Sequence, residues 1–323
     1  MEYTTLRNTG LSVSELCLGC MSFGSRESWM LDEEESHEII DRAIDLGVNF
    51  FDTANMYSGG ESEEILGSAL EGYDREEFVV ATKVRFPSDT DHPNSAGLSR
   101  KTIETELEKS LGRLGMDTID LYQIHRAGPE TPIEETLRAL DDAVRRGQVR
   151  YLGASSMWAH EFAEALYASD RLDKERFVSM QNHYNLAYRE EEREMLPLCE
   201  REGVGVVPWG PLAQGFLTRP HEDHRATTRS DPDNKHDPGD VYHEGGGHEI
   251  NERVEELADE KGVSMAQIAL AWQYGSELVT APIVGVTSID HLEQAVEAME
   301  IGLTESDREY LEEPYEPLPV FGI

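Results

Sequence analysis

Ile119-Asp120-Leu121-Tyr122-Gln123-Ile124 is followed, after eight residues, by Ile133–Val144 and then by Val149-Arg150-Tyr151-Leu152-Gly153. The flanking segments are short and mostly apolar, as strands covered on both faces should be. The middle segment carries Leu137, Leu140 and Val144 on one helical face, with Pro132 at its start and Gly147 beyond its end. Proline is tolerated in a first helical turn, and glycine suits the residue after a last one. Strand, helix and strand in so short a span predict a crossover joining two parallel strands.

The same unit recurs along the chain. Further apolar runs fall at Leu16–Leu18, Val48–Phe51, Phe78–Ala81, Val178–Gln181, Val204–Pro208 and Pro282–Val284. Amphipathic stretches separate them at 34–46, 62–70, 102–114, 158–168, 190–201, 250–261, 264–272 and 289–299. This alternation predicts an α/β fold, and its eight strand–helix units predict a single (β/α)8 TIM barrel spanning 1–323. A doubly wound open sheet is the alternative, because alternation alone does not show closure. Tyr3 to Gly10 reads as a short N-terminal hairpin closing the barrel bottom. The loop at 218–247, rich in His, Asp, Gly and Pro, follows the seventh strand and reads as a mobile cover on the catalytic face.

The chain of 323 residues holds 65 acidic and 28 basic side chains, a net charge of −37. The acids are spread along the whole length. Such a surface repels nucleic acid and anionic membrane, and salt would screen its self-repulsion. A halophilic, cytoplasmic protein with an acidic surface is expected. No basic-then-apolar leader opens the sequence, and no window approaches 18 apolar residues. Cys17 and Cys20 form a C-x-x-C spacing, but Cys17 lies in an apolar run and the partner cysteines of a metal site are missing. Buried small hydrophobes are the expected reading. His221, His224, His236, His243 and His248 are irregularly spaced, so no metal is expected. Gly59-Gly60 reads as a turn rather than a phosphate loop, and Glu63 and Glu64 as helix surface.

Barrel active sites lie at the C-terminal ends of strands. There the chain places Asp52, with Tyr57 five residues on, then Lys83 and His125. Each has an ordinary reading: a cap, a lid aromatic, a rim cation, a core imidazole. Together they suggest proton transfer, because a charged lysine and aspartate beside core strands need partners and could be each other's. An ammonium near a phenol should lower its pKa from about 10. A neutral His125 could orient a carbonyl oxygen.

Several segments carry a resemblance. They are Phe51-Asp52-Thr53-Ala54-Asn55-Met56-Tyr57, Gly60-Glu61-Ser62-Glu63-Glu64-Ile65-Leu66-Gly67, Ala81-Thr82-Lys83 and Asp120 to His125. Gly153-Ala154-Ser155-Ser156, Gln181-Asn182, Pro208 to Ala213 and Pro282 to Ser288 continue it. In order and over nearly the whole chain, these resemble the aldo-keto reductase family. The resemblance implies NAD(P)H-dependent interconversion of a carbonyl and an alcohol without metal. It places the catalytic tetrad on Asp52, Tyr57, Lys83 and His125, with Tyr57 as general acid and hydride passing from nicotinamide C4 to the carbonyl carbon. The carboxamide site falls on Ser155, Ser156 and Gln181, although many members have asparagine where this chain has Ser156. Trp209 matches the aromatic that stacks on the nicotinamide. Gly210, Leu212 and Gln214 match the pyrophosphate contacts. The adenosine end falls on Gly285, Thr287, Ser288, His291 and Gln294. No Lys or Arg occurs between Gly285 and His291 to pair with a 2′-phosphate. NADPH is therefore favoured over NADH only slightly, on the resemblance alone. Met21, Trp29, Met56 and Trp158, with His125, are expected to shape a partly apolar pocket for a small-molecule carbonyl substrate. Two other functions fit the same chain: a cofactor-binding regulatory subunit without turnover, or a Schiff-base aldolase using Lys83.

Overall fold

The computed structural model describes residues 1–88, 92–128, 130–223 and 241–321. Strands β1 (Tyr3–Thr5) and β2 (Ser12–Ser14) pair antiparallel as the expected hairpin. The chain then runs β3 (Cys17–Gly19), α1 (Glu33–Asp45), β4 (Phe50–Asp52), α2 (Glu61–Leu70), β5 (Val79–Val84), α3 (Arg100–Leu114), β6 (Ile119–Ile124) and α4 (Ile133–Arg145). It continues through β7 (Val149–Ser155), α5 (Ala159–Leu172), β8 (Phe177–Gln181), α6 (Met195–Glu202), β9 (Gly205–Val206), α7 (Gly247–Lys261) and α8 (Met265–Tyr274). It ends with β10 (Ile283–Gly285), α9 (Ile289–Glu297) and α10 (Glu305–Glu312).

Strands β3 to β10 form one eight-stranded sheet in the order β10-β3-β4-β5-β6-β7-β8-β9, with every pairing parallel. Beside its two terminal strands, the Ile283 N–H donates to the Pro208 carbonyl and the Thr280 N–H to that of Val206, each at 2.8 Å. The strand period of two divides the apolar residues between two faces. Leu18, Phe51, Val80, Tyr122, Leu152, Met180 and Val284 pack in the large cluster with the helices. Cys17, Phe50, Val79, Ala81, Leu121, Val207 and Ile283 form a second cluster on the inner face. The hairpin adds Leu6 and Val13 to it, so β1–β2 seals the N-terminal end of the inner face with apolar side chains. Farther along the same strands the inner positions turn polar, to Asp52, Lys83, Gln123, Ser155 and Gln181.

Local signals set the helix ends. Asp32 and Glu35 form a reciprocal capping box at α1, Ser99 accepts from the Thr102 N–H at α3, and Ser264 and Gln267 box α8. Helix α3 stops at Gly115, whose φ of 65° a side chain would strain. Cys17 and Cys20 are buried free thiols, as expected for small hydrophobes.

Three readings need correction. The helix expected at 190–201 is instead a 3-10 turn at Glu190–Glu192 followed by α6. Pro197 is the cause: it has no N–H to give Arg193 and its ring crowds that carbonyl, so it fits only in a first turn. Glu63 is fully buried, not on the helix surface, while Glu64 is exposed. The Glu63 carboxylate accepts from Arg113 Nε at 2.7 Å and Thr82 Oγ1 at 2.5 Å, tying α2 to α3 and β5. Helix α10, absent from the sequence reading, is capped by Thr304 and Asp307 and buries Leu311. The expected cover at 218–247 falls mainly on residues 224–240, outside the described residues. Of its flanks, His221–Asp223 and Val241–His243 are single 3-10 turns, and Gly247 already opens α7.

Glu63→Ala should lower unfolding stability by about 3 kcal/mol, because it leaves a mostly buried guanidinium without its partner. Urea denaturation followed by circular dichroism tests this. An unchanged midpoint would show that Arg113 finds a new partner.

Candidate active site

The polar inner ends of neighbouring strands meet at one place. Lys83, on β5, is fully buried. Its ammonium donates to Asp52 at the end of β4, to the Thr53 carbonyl at 2.8 Å and to Tyr57 Oη at 3.3 Å. The second Asp52 oxygen accepts from Gln123 Nε2 at 2.8 Å and Gln181 Nε2 at 2.9 Å. His125 follows β6, where its N–H donates to the Val84 carbonyl. Its ring stands edge-on to Tyr57 and Phe86, with centroids 5.8 and 5.2 Å apart. The four residues singled out at three strand ends therefore share one site.

Tyr57 reaches that site through an unusual turn. Ser58, Gly59 and Gly60 have φ of 47°, 68° and 105°. The two glycines take this conformation without a side-chain clash. The preceding loop is tied down by Asn55, whose N–H donates to the Lys83 carbonyl and whose Nδ2 donates to Glu106 Oε2 at 2.7 Å and the Phe86 carbonyl at 2.9 Å.

Burial and charge compete here. Burial pushes the Tyr57 phenol above its ordinary value, and the pull of Lys83 toward phenolate does not offset it. The expected lowering is thus not met, and Tyr57 is protonated at neutral pH. Burial also opposes the Lys83 ammonium, but Asp52 and Tyr57 outweigh it and raise that pKa. An amine held protonated in this way is a poor nucleophile, which counts against an aldolase. Burial, reinforced by Lys83, Arg126 and Arg85, holds His125 well below the usual imidazole range. It is neutral, and its Nδ1 is buried without a hydrogen-bond partner among the described residues.

On the far side, Trp209 Nε1 donates to Ser156 Oγ at 2.9 Å, and the indole stacks on His183 with centroids 4.1 Å apart and planes 11° apart. His183 stacks in turn on Tyr188, and its Nε2 lies 2.8 Å from the Tyr242 hydroxyl. The half-buried Trp209 is thus fixed in plane and backed on one face. Ser155 Oγ donates to the Gln181 carbonyl at 3.0 Å. Beyond Gly210 and Leu212, Ala213, Gln214 and Gly215 have φ of 48°, 55° and 101°. Two adjacent non-glycine residues in this region carry backbone strain that the surrounding contacts must offset. At α9, Ser288 caps the first turn by accepting from the His291 N–H, and Thr287 Oγ1 lies 3.4 Å from His291 Nδ1. Gln294 Nε2 donates to Asp290, and its Oε1 accepts from Ser264. Gly285 ends β10.

Of the expected pocket residues, Met56 adjoins Tyr57 and Met21 lies in the turn after β3. Trp29 is buried, whereas Trp158, at the start of α5, is 46% exposed. Sequence reasoning assigned no role to Gln123, Arg126 or His183. Gln123 had a signal, since it lies two residues before His125 and directly opposite Lys83 in the sheet. His183 had none, because its stack forms only when β8, the chain after β9 and the 241–243 turn converge. Among the described residues, no helix is long and apolar enough to cross a membrane, and no group of three or more His, Cys, Asp or Glu is arranged to hold a metal.

The sequence model described as the Aldo/keto reductase family matches residues 15–316. The chain is also 44% identical to a versiconal hemiacetal acetate reductase of Aspergillus parasiticus, over 98% of each chain. It is 41% identical to an aldo-keto reductase of Alternaria alternata, over 99% of this chain and 93% of the relative. A third relative, an aldo-keto reductase of Metarhizium robertsii, is 41% identical over 100% of this chain and 93% of its own. The chain belongs to the aldo-keto reductase family. It is an NAD(P)H-dependent oxidoreductase of carbonyl compounds.

Burial lowers the His183 pKa from 6.5 to about 3. The unfolded chain then binds the extra proton, so the stability this group contributes is whole above about pH 6.5 and is lost as pH falls toward 3. Going from pH 7 to pH 5 should cost about 2 kcal/mol through this residue. Urea midpoints at both pH values should differ less in His183→Phe than in the parent. Equal differences would mean that His183 keeps an ordinary pKa.

Proposed function

We propose that the chain reduces an aldehyde or ketone reversibly, with Tyr57 as general acid and Asp52, Lys83 and His125 as its supporting set. The observation that carries this is the hydrogen-bonded line from Asp52 through Lys83 to Tyr57, with an uncharged imidazole beside the phenol. Bound NAD(P)H supplies the hydride. As the carbonyl carbon accepts it, charge develops on the oxygen, and Tyr57 Oη gives that oxygen its proton. Lys83 then faces a phenolate, which an adjacent ammonium stabilises, and Asp52 keeps the ammonium charged and in place. His125, neutral and held against Tyr57 and Phe86, orients the carbonyl oxygen. Its neutrality matters, because a second cation at this point would repel Lys83.

The remaining residues fit a dinucleotide. Trp209 offers a braced aromatic face for the nicotinamide, with Ser155, Ser156 and Gln181 at its edge. The strained turn with Gly210, Leu212 and Gln214 suits the pyrophosphate, through backbone N–H groups. Gly285, Thr287, Ser288, His291 and Gln294 suit the adenosine end. Thr287, Ser288 and His291 provide hydrogen bonds but no cation, so the NADPH preference in this reading is slight. Met21, Trp29 and Met56 complete a partly apolar pocket, with Trp158 at its rim. The contacts between Ile283 and Pro208 and between Thr280 and Val206 support closure of the sheet into a (β/α)8 barrel, with residues 1–323 as one domain. The acidic composition supports adaptation to high salt.

Tyr57→Phe should lower kcat/KM for aldehyde reduction about 10³-fold with either NADPH or NADH, while leaving cofactor affinity nearly unchanged. Parent-like turnover would remove Tyr57 from the reaction. The parent's melting temperature should rise between low and molar KCl as screening relieves self-repulsion. A flat response would remove the salt-adapted reading.

A further inference from the structure

Arg126 is the residue at this site that the proton path does not use. It follows His125 directly and is half-buried. Its Nη1 donates to the His125 carbonyl at 2.9 Å and lies 3.4 Å from Ser155 Oγ. The guanidinium carbon sits 5.9 Å from the Trp209 ring centroid. No carboxylate among the described residues pairs with it, although 65 of the 323 side chains are acidic. Neighbouring Lys83 is neutralised by Asp52, and Arg85 lies 3.8 Å from the Glu130 carboxylate. The charge of Arg126 reaches Tyr57, His125 and His183. Among the described residues, a strongly acidic protein therefore keeps a cation without a carboxylate partner where the reacting carbonyl is expected. A half-buried guanidinium with spare donors is best satisfied by a planar anion that accepts two parallel hydrogen bonds.

We propose that Arg126 selects carbonyl substrates that carry a carboxylate. This rests on the reductase reading above and names the substrate class for the same site. In a rim shielded from water, a charge-assisted pair to Arg126 anchors the acid group, and the carbonyl is left facing Tyr57 and His125. The surrounding negative field slows the approach of any anion, so the preference should be clearest at high ionic strength, where that repulsion is screened and the close pair persists.

The test compares 2-, 3- and 4-carboxybenzaldehyde with their methyl esters in molar KCl, using the parent, Arg126→Met and Arg126→Lys. At least one acid isomer should exceed its ester in kcat/KM with the parent. Arg126→Met should lower that acid's kcat/KM about 10- to 100-fold, as expected for loss of a charge-assisted pair, and the ester's by less than about 3-fold. Arg126→Lys should restore part of the difference, since it keeps the charge and loses the fork. NADPH affinity, measured by fluorescence titration, should be similar in all three. Esters reduced as well as acids, or acid and ester falling together in Arg126→Met, overturn the inference and leave the reductase reading intact. A loss of NADPH affinity with an unchanged acid-to-ester ratio makes Arg126 a cofactor contact and also overturns it. Failure to reduce any carbonyl overturns the reductase reading instead. In that case calorimetric binding of 4-(hydroxymethyl)benzoate judges Arg126 separately: binding weakened by Arg126→Met supports the anion site, and absent or unchanged binding rejects it.

Discussion

The ion pair between Lys83 and Asp52 governs the centre of the molecule. Both groups are out of water, and an isolated charge there would be strongly unfavourable. Each is held by more than the other: Lys83 by the Thr53 carbonyl and Tyr57, Asp52 by Gln123 and Gln181. These partners come from β4, β5, β6 and β8, so keeping one amine charged requires four strands to hold a common register. The apolar half of the inner face supplies that register. Phe50, Val79 and Leu121 pack below the polar layer and set the height at which Asp52, Lys83 and Gln123 emerge.

The rest of the site is built outward from this pair by fixing directions. Asn55 and Glu106 hold the loop that carries Tyr57, and the glycine-rich turn after it brings the chain back into α2. His183 and Ser156 hold Trp209 in one plane. Trp209 therefore has little rotational freedom left, which would favour binding of a flat ring as proposed above. The same stack couples the ring to Tyr242 and Phe321, so the C-terminal segment and the 3-10 turn at Val241–His243 share in placing it.

Much of this was legible in the residues. The eight apolar runs all became strands of the parallel sheet, because parallel strands are covered on both faces and leave nearly unbroken apolar sequence. Asp52, Tyr57, Lys83 and His125 could be read at strand ends because their chemistry is unusual beside core segments. What escaped depended on contacts between distant residues. Glu63 looked like any helical glutamate until Arg113 and Thr82 met it. Helix α10 buries little apolar surface and gave almost no periodic signal. The sign of the Tyr57 shift turned on how deeply the phenol is buried, which no spacing reveals. Arg126 follows His125 in sequence, yet that no carboxylate among the described residues pairs with it is visible only in three dimensions.

The hairpin has a kinetic consequence. Leu6 and Val13 stop the amino-terminal end of the strands with hydrocarbon rather than with a passage. In the closed barrel proposed above, all traffic would then use the opposite doorway, and two reactants that share one doorway would have to queue. Whichever lay deeper would enter first and depart last, so the order of events in each turnover would be imposed partly by two hydrocarbon side chains of the amino-terminal hairpin.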